Sequence, residues 1–205
     1  VQVRHDGTDF VTETVAGAIR SPRLIVATGG KSIPKIGATG LAYDIAAQFG
    51  LRLVETRAGL VPLTFAEQEL ALCRPLAGVS VEARIRHNGG QFRDALLFTH
   101  RGLSGPVILQ ISSFWQPGEA LQIDLAPDHD IAAGLKAARS GRVSIASALG
   151  RWLPARLAAA ICEEMGLAQA RLADQPNARL DAIGARVNRW QVRPVGTEGY
   201  RTAEV

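Results

Sequence analysis

The sequence is poor in the residues that build metal centres and disulfide frameworks. Its 205 residues include two cysteines, four histidines and one methionine. Cys73 and Cys162 lie far apart, and neither has a second cysteine or a histidine at metal-ligand spacing. This pattern argues against a zinc site and provides no disulfide framework. We expect two ordinary buried thiols and no bound metal.

Long hydrophobic runs are also missing. No window approaches the roughly eighteen consecutive apolar residues that a membrane-spanning helix needs. The opening, VQVRHDGTDF, does not have the charged-then-apolar layout of a secretory signal. We therefore expect no membrane association, with the cytoplasm as the default location. Because the chain begins with valine and ends in YRTAEV without a helix or polar tail, we expect a piece of a longer polypeptide.

Familiar phosphate-binding and nucleophile motifs are absent as well. The sequence contains no GxGxxG, no GxxxxGK[ST] and no GxSxG. Its histidines, at positions 5, 87, 100 and 129, assemble into no Ser-His-Asp order, and no paired carboxylates accompany them. Motifs alone therefore identify no catalytic centre.

Positive charge is unevenly distributed along the chain. Lysine and arginine number 23 against 19 acidic residues, and residues 136–193 hold ten basic and four acidic side chains. A basic segment of this kind can meet nucleic acid. Its arginines, however, recur at near-helical intervals without interleaved aromatic residues, as on a solvated helix face. We therefore expect no nucleic-acid partner; a non-catalytic module that binds nucleic acid or protein is the alternative.

The first fifty residues predict strands, a glycine-rich loop and a helix. VQVRHDGTDFVTET has the pattern of a hairpin around Asp-Gly. RLIVATGG, residues 23–30, reads as a strand buried on both faces of a sheet. Leu41, Ile45 and Phe49 share one helical face. Since glycine lets a backbone approach a ligand closely, the ATGG end of the strand is a candidate nucleotide-contact loop.

From about residue 51 to 127 the pattern changes to short strands separated by turns. The runs LRLVET, GLVPLTF, GVSVEARIR, QFRDALLFT and EALQIDLAP predict a small barrel or sandwich. SGPVILQISSFW fits either a strand or a helix opened by Ser104 as N-cap. Apolar residues spaced four apart after Pro154 and Pro176 predict a helical subdomain. The final QVRPVGTEGYRTAEV is expected to re-enter the first sheet.

The stretch FTHRGLSGP, residues 98–106, allows two interpretations. If Ser104 caps a helix, His100 would lie beside the positive helix end, which suits an anionic ring or phosphate. Alternatively, Thr99, Gly102 and Ser104 form a turn, and His100 is a partly buried hydrogen-bonding residue. Composition alone favours the turn.

Five collinear stretches of the chain resemble one family. They are LIVATGGKSIPKIGATGLAYDIAAQFG, AGLVPLTF, LAGVSVEARI, LLFTHRGLSGPVILQISSFW and GYRTAEV. Together they resemble the bacterial BaiN-type flavoproteins, also described as NAD(FAD)-utilising dehydrogenases or aminoacetone-oxidase-like proteins. The resemblance covers nearly the whole chain, and the pairing of ATGGKSIPKIGATG with FTHRGLSGP is its specific part.

The resemblance implies an α+β fold of several subdomains. Part of a Rossmann-like FAD-binding domain would carry an insert made of a small β-barrel and a helical subdomain. The implied domains are 1–54 for the partial FAD domain, 55–128 for the barrel, 129–190 for the helical subdomain and 191–205 for a return strand to the FAD domain.

The implied function is that of an FAD-dependent oxidoreductase, with the insert shaping a small-molecule substrate cleft over the flavin. The fragment alone would be inactive, and NAD(P)H is a candidate electron donor. Thr28, Gly29, Gly30, Thr39 and Gly40 would contact FAD. The chain departs from the family by carrying an alanine, in GLAY, where a glycine is common after Thr-Gly.

The resemblance also gives His100 a role. His100, Gly102 and Ser104 would line the substrate side of the cleft. As a catalytic residue, His100 would donate a hydrogen bond to the reduced flavin or to a substrate carbonyl. The sequence indicates neither the substrate nor the oligomeric state.

Overall fold

A three-stranded antiparallel meander begins the computed structural model, which describes residues 1–139 and 142–204. Its strands are β1 (Gln2–His5), β2 (Phe10–Thr14) and β3 (Gly17–Ser21). The predicted hairpin is confirmed, with Asp6 and Gly7 at its turn. The Asp6 carboxylate accepts the backbone N–H groups of Asp9 and Thr8 at 2.9 and 3.1 Å. The bond from Asp9, followed by that from Thr8, lowers the pKa of Asp6 to about 2.

The predicted first helix is confirmed as α1 (Leu41–Gln48). Ile45 is buried, and the Phe49 ring meets Phe10 edge-on at 5.6 Å between centroids. The Gln48 side chain donates to the carbonyl of Val3 at 2.6 Å. One apolar helix face and one amide therefore fix α1 to the meander, as expected for an amphipathic helix.

The prediction of a strand at RLIVATGG is wrong. Residues 22–30 have no regular secondary structure, and Ile25 is 89% exposed. LRLVET, residues 51–56, is likewise not a strand. A strand requires a neighbour for its backbone N–H and C=O groups, and no described residue pairs with these segments. The α+β class is confirmed, but the described strands pair only antiparallel, so a Rossmann-like sheet is not shown.

Residues 58–204 form a second unit around a seven-stranded antiparallel sheet, whereas residues 1–57 form the first unit. The strands are β4 (Leu63–Thr64), β5 (Ser80–His87), β6 (Gly90–Thr99), β7 (Gly102–Ser104), β8 (Leu121–Asp124), β9 (Trp190–Val192) and β10 (Gly196–Thr197). Their order is β10-β4-β7-β6-β5-β8-β9. Of the short strands predicted over residues 51–127, those after residue 57 are thus largely confirmed, whereas LRLVET is not a strand.

The hairpin of β5 and β6 shows how the sequence specifies the sheet. Val81, Ala83, Ile85 and His87 are buried and alternate with more exposed residues, the period of a strand with one covered face. Asn88 and Gly89 form the turn with φ values of 38° and 82°. Positive φ at both positions matches the two-residue turn that Asn-Gly favours.

SGPVILQISSFW forms a helix, α3 (Pro106–Ser112), which packs its buried residues against β5, β6 and β7. Ser104 is not its N-cap, because Ser104 lies in β7 opposite Leu97. Gly105 takes the N-cap position with φ 91°. A Cβ there would lie 2.6 Å from the carbonyl oxygen of Ala95, so the close approach of helix and sheet requires glycine.

Beyond residue 128 the second unit is mainly helical, as predicted. The helices there are α4 (Ile131–Ala137), α5 (Ile145–Leu149), α6 (Ala155–Glu164) and α7 (Asn177–Asn188). One helix, α2 (Glu67–Cys73), lies within the region predicted to form short strands. Asp130 caps α4 and Ser144 caps α5 through side-chain oxygens. α4 and α7 cross closely, since a Cβ on Gly184 would lie 2.6 Å from the Cβ of Ala132.

The C-terminal strands do not join the first unit's sheet. β9 pairs with β8, and β10 pairs with β4, so both belong to the seven-stranded sheet. The expected return of residues 191–205 to the first sheet is therefore not observed. Trp190 lies in β9, and its ring stacks on that of Phe98 with 6.1 Å between the centroids. The division into an FAD domain and an insert stays a prediction.

Both cysteines are buried free thiols, as predicted. Burial raises the pKa of Cys73 to about 12 and that of Cys162 to about 11. Within the described ranges, no three His, Cys, Asp or Glu side chains group as metal ligands. No helix there combines the length and the apolar character needed to cross a bilayer.

The amide of Asn188 connects the sheet to the helices. It donates to Asp124 Oδ1 and to the carbonyl of His129, each at 2.9 Å, and approaches the carbonyl of Ala126 at 3.3 Å. Its Oδ1 accepts the N–H of Ile131 at 3.1 Å. One side chain thus binds the end of β8, the segment after it and the start of α4.

We expect Asn188→Ala to lower the free energy of unfolding by about 2 to 4 kcal/mol, because four hydrogen bonds that join distant segments are lost together. Asn177→Ala is the matched control, since it removes only one surface hydrogen bond, from Arg139. Urea titration followed by circular dichroism measures both. Equal midpoints for the two variants would contradict the connecting role of Asn188.

Candidate nucleic-acid interface

Four arginines of the helical region lie where three segments of the chain meet. The isolated bridge between Ser144 and Arg171 joins two of the segments. Backbone hydrogen bonds from Ile145 to Ala170 and from Leu172 to Val143 flank that bridge. Arg142 belongs to the first segment, two positions before Ser144. The third segment is the start of α7, where the Asn177 side chain accepts a 2.8 Å hydrogen bond from Arg139.

We call Arg139, Arg142, Arg171 and Arg179 the arginine cluster. Arg142, Arg171 and Arg179 are exposed, and Arg139 is half-buried. None of the four has a carboxylate within ion-pair distance among residues 1–139 and 142–204. Their positive charge is therefore available to an anionic partner such as a phosphate backbone.

Several other basic residues of the second unit are neutralised by neighbouring carboxylates. Arg93 pairs with Glu82 and Asp128, and this contact lowers the pKa of Asp128. Arg186 forms a bidentate pair with Glu164 at 3.1 and 2.6 Å. Its guanidinium also lies 4.7 Å from the ring centroid of Trp190. These side chains stabilise the fold, which distinguishes them from the arginine cluster.

The predicted flavin-contact residues lie in the first unit. The structure brings Gly30 and Gly40 close to the same side chain, Tyr43, and brings Gly40 close to Lys31 as well. A Cβ on Gly30 would lie 3.3 Å from Tyr43 Oη, and a Cβ on Gly40 would lie 3.5 Å from Lys31 Cε. The Lys31 ammonium lies 4.9 Å from the Tyr43 ring centroid.

Thr28, Gly29 and Thr39 are arranged differently. Thr28 and Gly29 are exposed, and Gly29 has φ 71° with no atom within 4 Å of an added Cβ. Thr39 Oγ1 accepts the N–H of Leu41 at 3.4 Å, at the start of α1. The contact of these residues with FAD stays a prediction.

His100 lies at the tip of the turn between β6 and β7. Thr99 and Gly102 are paired across this turn, and the His100 side chain is exposed rather than partly buried. The adjacent Arg101 pairs with Glu198 at 3.0 Å, and Glu198 also binds Arg201. The catalytic role of His100 stays a prediction.

Gly102 and Ser104 are fixed by the sheet. Gly102 has φ 146°, and a Cβ there would lie 2.3 Å from the carbonyl oxygen of Leu63 on β4. Ser104 is half-buried in β7. The close approach of β7 to β4 explains why position 102 requires glycine. Their place in a substrate cleft stays a prediction.

The sequence did not indicate one set of four polar residues that the structure brings together. Gln91, Arg86, Gln122 and Gln191 come from four different strands, and the register of the sheet sets them side by side. The alternation in β5 and β8 indicates that these residues face outward. Only the strand order, which the sequence does not show, brings them together.

Comparison with known proteins supplies the family. The family described as "HI0933-like protein barrel and H2TH domain" matches residues 57–205. The chain belongs to this family. The seven-stranded sheet and the helices after it correspond to the two parts in that description, which agrees with the expected barrel and helical subdomain.

Two relatives in the comparison share one name. The ribosomal RNA dihydrouridine synthase of Escherichia coli (strain K12) is 43% identical over 213 aligned residues, covering 100% of this chain and 52% of the relative. The protein of the same name from Haemophilus influenzae (strain ATCC 51907 / DSM 11121 / KW20 / Rd) is 40% identical over 199, covering 96% and 49%. The chain thus spans about half the length of the curated relatives it matches.

These names correct two expectations about this HI0933-like chain. The interpretation as a fragment of an FAD-dependent oxidoreductase with a small-molecule cleft is wrong, because the relatives are named for a modification of ribosomal RNA. The expectation that nucleic acid is not a partner is wrong for the same reason. The names do support the expectation of an enzyme. The near-helical spacing of the arginines predicted a solvated helix face. The spacing alone did not show that several of these arginines lack carboxylate partners.

We expect Gly102→Ala to lower the free energy of unfolding by about 3 kcal/mol, because the new methyl group would collide with the carbonyl of Leu63. Gly118→Ala is the matched control. Gly118 also has positive φ, 91°, but its Cβ would meet open space, so we expect a loss of about 1 kcal/mol. Urea midpoints compare the two variants. A loss no larger for Gly102→Ala than for the control would contradict the close approach.

Proposed function

We propose that this chain is the RNA-contacting part of an enzyme that converts uridine to dihydrouridine in ribosomal RNA. The observation that carries the proposal is the identity of 43% and 40% to two proteins named ribosomal RNA dihydrouridine synthase, over 100% and 96% of the chain. The first alignment spans the whole chain, and the second spans nearly all of it. The arginine cluster supplies the electrostatic contact that such a substrate requires.

The chemistry implied by the name is a two-electron reduction. Dihydrouridine differs from uridine by one added hydrogen at each end of the C5–C6 double bond of uracil. The double bond becomes a single bond when one carbon receives a hydride and the other a proton. The reaction therefore needs a hydride donor, a proton donor and an RNA-binding surface that presents the base.

A flavin is the cofactor we propose for hydride supply, with NAD(P)H as its reductant. The residues present are compatible with this group. Gly29 leaves its backbone open to close approach, and Lys31 has no carboxylate ion pair within the described part of the chain. Thr28, Gly29, Gly30, Thr39 and Gly40 remain the proposed flavin contacts, and His100 the proposed proton or hydrogen-bond donor.

In this proposal the arginine cluster positions the RNA rather than taking part in the reduction. Guanidinium groups bind phosphate through paired N–H donors, and they fix the register of a nucleic acid without reading its bases. Arg142 and Arg171 belong to the bridged segments, whereas Arg179 belongs to the first turn of α7. An RNA backbone can therefore be contacted at two separate places on one subdomain.

The activity test uses the full-length protein in bacteria that lack their own enzyme of this kind. Ribosomal RNA is isolated, digested to nucleosides and analysed by mass spectrometry. We expect dihydrouridine to appear on expression of the wild-type protein, and to fall at least tenfold for Arg142→Gln/Arg171→Gln/Arg179→Gln. Ribosomal RNA with no gain in dihydrouridine on wild-type expression would overturn the proposed function.

RNA binding by the chain itself provides an independent prediction. We expect the affinity for a ribosomal RNA hairpin to fall steeply with salt, and the triple arginine variant to reduce the log–log slope by about 2 to 3, since each lost phosphate contact reduces it by about 0.7 to 0.9. Fluorescence anisotropy at several salt concentrations gives the slopes.

The control removes the same charge elsewhere. Arg23→Gln/Lys35→Gln/Arg52→Gln replaces three basic residues of the first unit that form no described ion pair. We expect a smaller change in slope than for the arginine cluster. Equal changes would show that net charge, rather than the cluster, governs binding.

A further inference from the structure

A row of four polar side chains crosses four neighbouring strands of the seven-stranded sheet. Arg86 on β5 is opposite Gln91 on β6 and Gln122 on β8, and Gln122 is opposite Gln191 on β9. At the usual spacing between strands the row is about 14 Å long. We call these four residues the amide row.

The amide row lies on the outer face of the sheet. Ile85 and Ile123, which neighbour Arg86 and Gln122 along their strands, are fully buried on the opposite face. Arg86, Gln91 and Gln191 are exposed, and Gln122 is half-buried. Successive side chains of a strand point to opposite faces, so the row faces solvent and an incoming partner.

The row carries no negative charge of its own. Its only polar side-chain contact among the described residues is the 2.7 Å hydrogen bond from Arg86 Nε to Gln91 Oε1. Arg86 has no carboxylate ion pair there, whereas Arg84 in the next row of the sheet lies 3.7 Å from Asp124. The side-chain amides of Gln122 and Gln191 have no described hydrogen-bond partner, so they are available to a ligand.

The carboxylate at the edge of the row, that of Glu119, already accepts hydrogen bonds from neighbouring groups. Glu119 accepts hydrogen bonds from His87 Nε2 at 2.7 Å, Asn88 Nδ2 at 2.9 Å and the N–H of Gln116 at 2.9 Å. Burial by itself would raise the pKa of Glu119, but these bonds, with that from Gln116 first, outweigh it and lower the pKa. Glu119 therefore holds the β5–β6 turn in place instead of facing the row.

The surface around the row is concave. A depression of about 490 Å³ is lined by all four residues of the amide row, by the turn at Asn88–Gly90 and by the adjoining His87 and Ala120. This volume falls within the range of small-ligand pockets, about 300 to 1,000 Å³. The three glutamine amides both donate and accept hydrogen bonds, and Arg86 adds one positive charge. This combination suits a ligand that has several polar groups and a single negative charge.

We propose that the amide row binds unpaired nucleotides of the RNA substrate. The glutamine amides bind base edges and ribose hydroxyls, which also donate and accept hydrogen bonds, and Arg86 binds a phosphate. Unpaired nucleotides are the form of RNA whose base edges are accessible in this way. This inference rests on the proposed RNA-directed function and adds a site that recognises single-stranded RNA, separate in role from the arginine cluster.

The test compares the wild-type chain with Gln91→Ala/Gln122→Ala/Gln191→Ala. This variant removes hydrogen-bonding groups without changing charge. Fluorescence anisotropy at fixed salt measures binding to a single-stranded twelve-nucleotide RNA and to a hairpin duplex with equal phosphate number. We expect affinity for the single strand to fall tenfold or more, affinity for the duplex to change less than twofold, and the salt slope to stay constant.

The control is Gln2→Ala/Gln68→Ala/Gln169→Ala, three exposed glutamines with no described side-chain hydrogen bond, and we expect it to bind both RNAs like the wild type. Gln191→Ala alone, on an edge strand, should weaken single-strand binding about threefold. Thermal melting by circular dichroism confirms that each variant is folded. The Gln191 side chain is exposed and makes no described hydrogen bond within the protein. The folded single variant therefore tests the proposal even if the triple variant unfolds.

The other outcomes separate this inference from the proposed function. A wild-type chain that binds neither RNA overturns RNA contact altogether, and the amide row with it. Normal binding by the amide-row variant, together with weakened binding by the arginine variant, overturns the amide row alone. Unchanged affinity for naked RNA with lost affinity for ribosomal subunits would assign the row to a protein contact and overturn the nucleotide proposal.

Discussion

The amide of Asn188 is the interaction on which the second unit depends. It closes the end of α7 against the end of β8 and the start of α4, through hydrogen bonds to four polar groups of these segments. The N–H of Leu125 donates to the carbonyl of Val187 at 3.0 Å beside it. Because sheet and helices also share one buried apolar core, this connection holds the arginine cluster in a fixed relation to the sheet.

The second unit contains two kinds of arginine: those that pair with a neighbouring carboxylate and those that have no such partner among the described residues. Some arginines bind carboxylates or an aromatic face, as Arg93 and Arg186 do, and these contacts fix neighbouring segments. The arginine cluster and Arg86 have no such carboxylate partner in the described ranges. A polyanion can therefore bind without breaking an internal ion pair. Net charge alone, +4 over 205 residues, does not reveal this division.

The sequence predicted best those segments whose hydrogen-bonding partners lie close to them in the chain. The Asp-Gly hairpin, α1 and the β5–β6 hairpin were predictable, because the backbone hydrogen bonds that form them join residues close in sequence. RLIVATGG was predicted as a strand from its apolar residues, yet none of the described residues pairs with it. Ser104 was one candidate for the helix cap, but Gly105 takes the cap position, one residue later, where the helix and the sheet approach closely.

The sequence by itself determined the α+β class, the order of short strands followed by helices, the buried thiols and the resemblance to a bacterial family. Only the tertiary structure decided which arginines keep free charge, that residues 190–197 belong to the seven-stranded sheet, and that Gln91, Arg86, Gln122 and Gln191 form one row. These features depend on strand order and on contacts between distant residues. Local propensity and periodicity act over a few residues, so they cannot specify them.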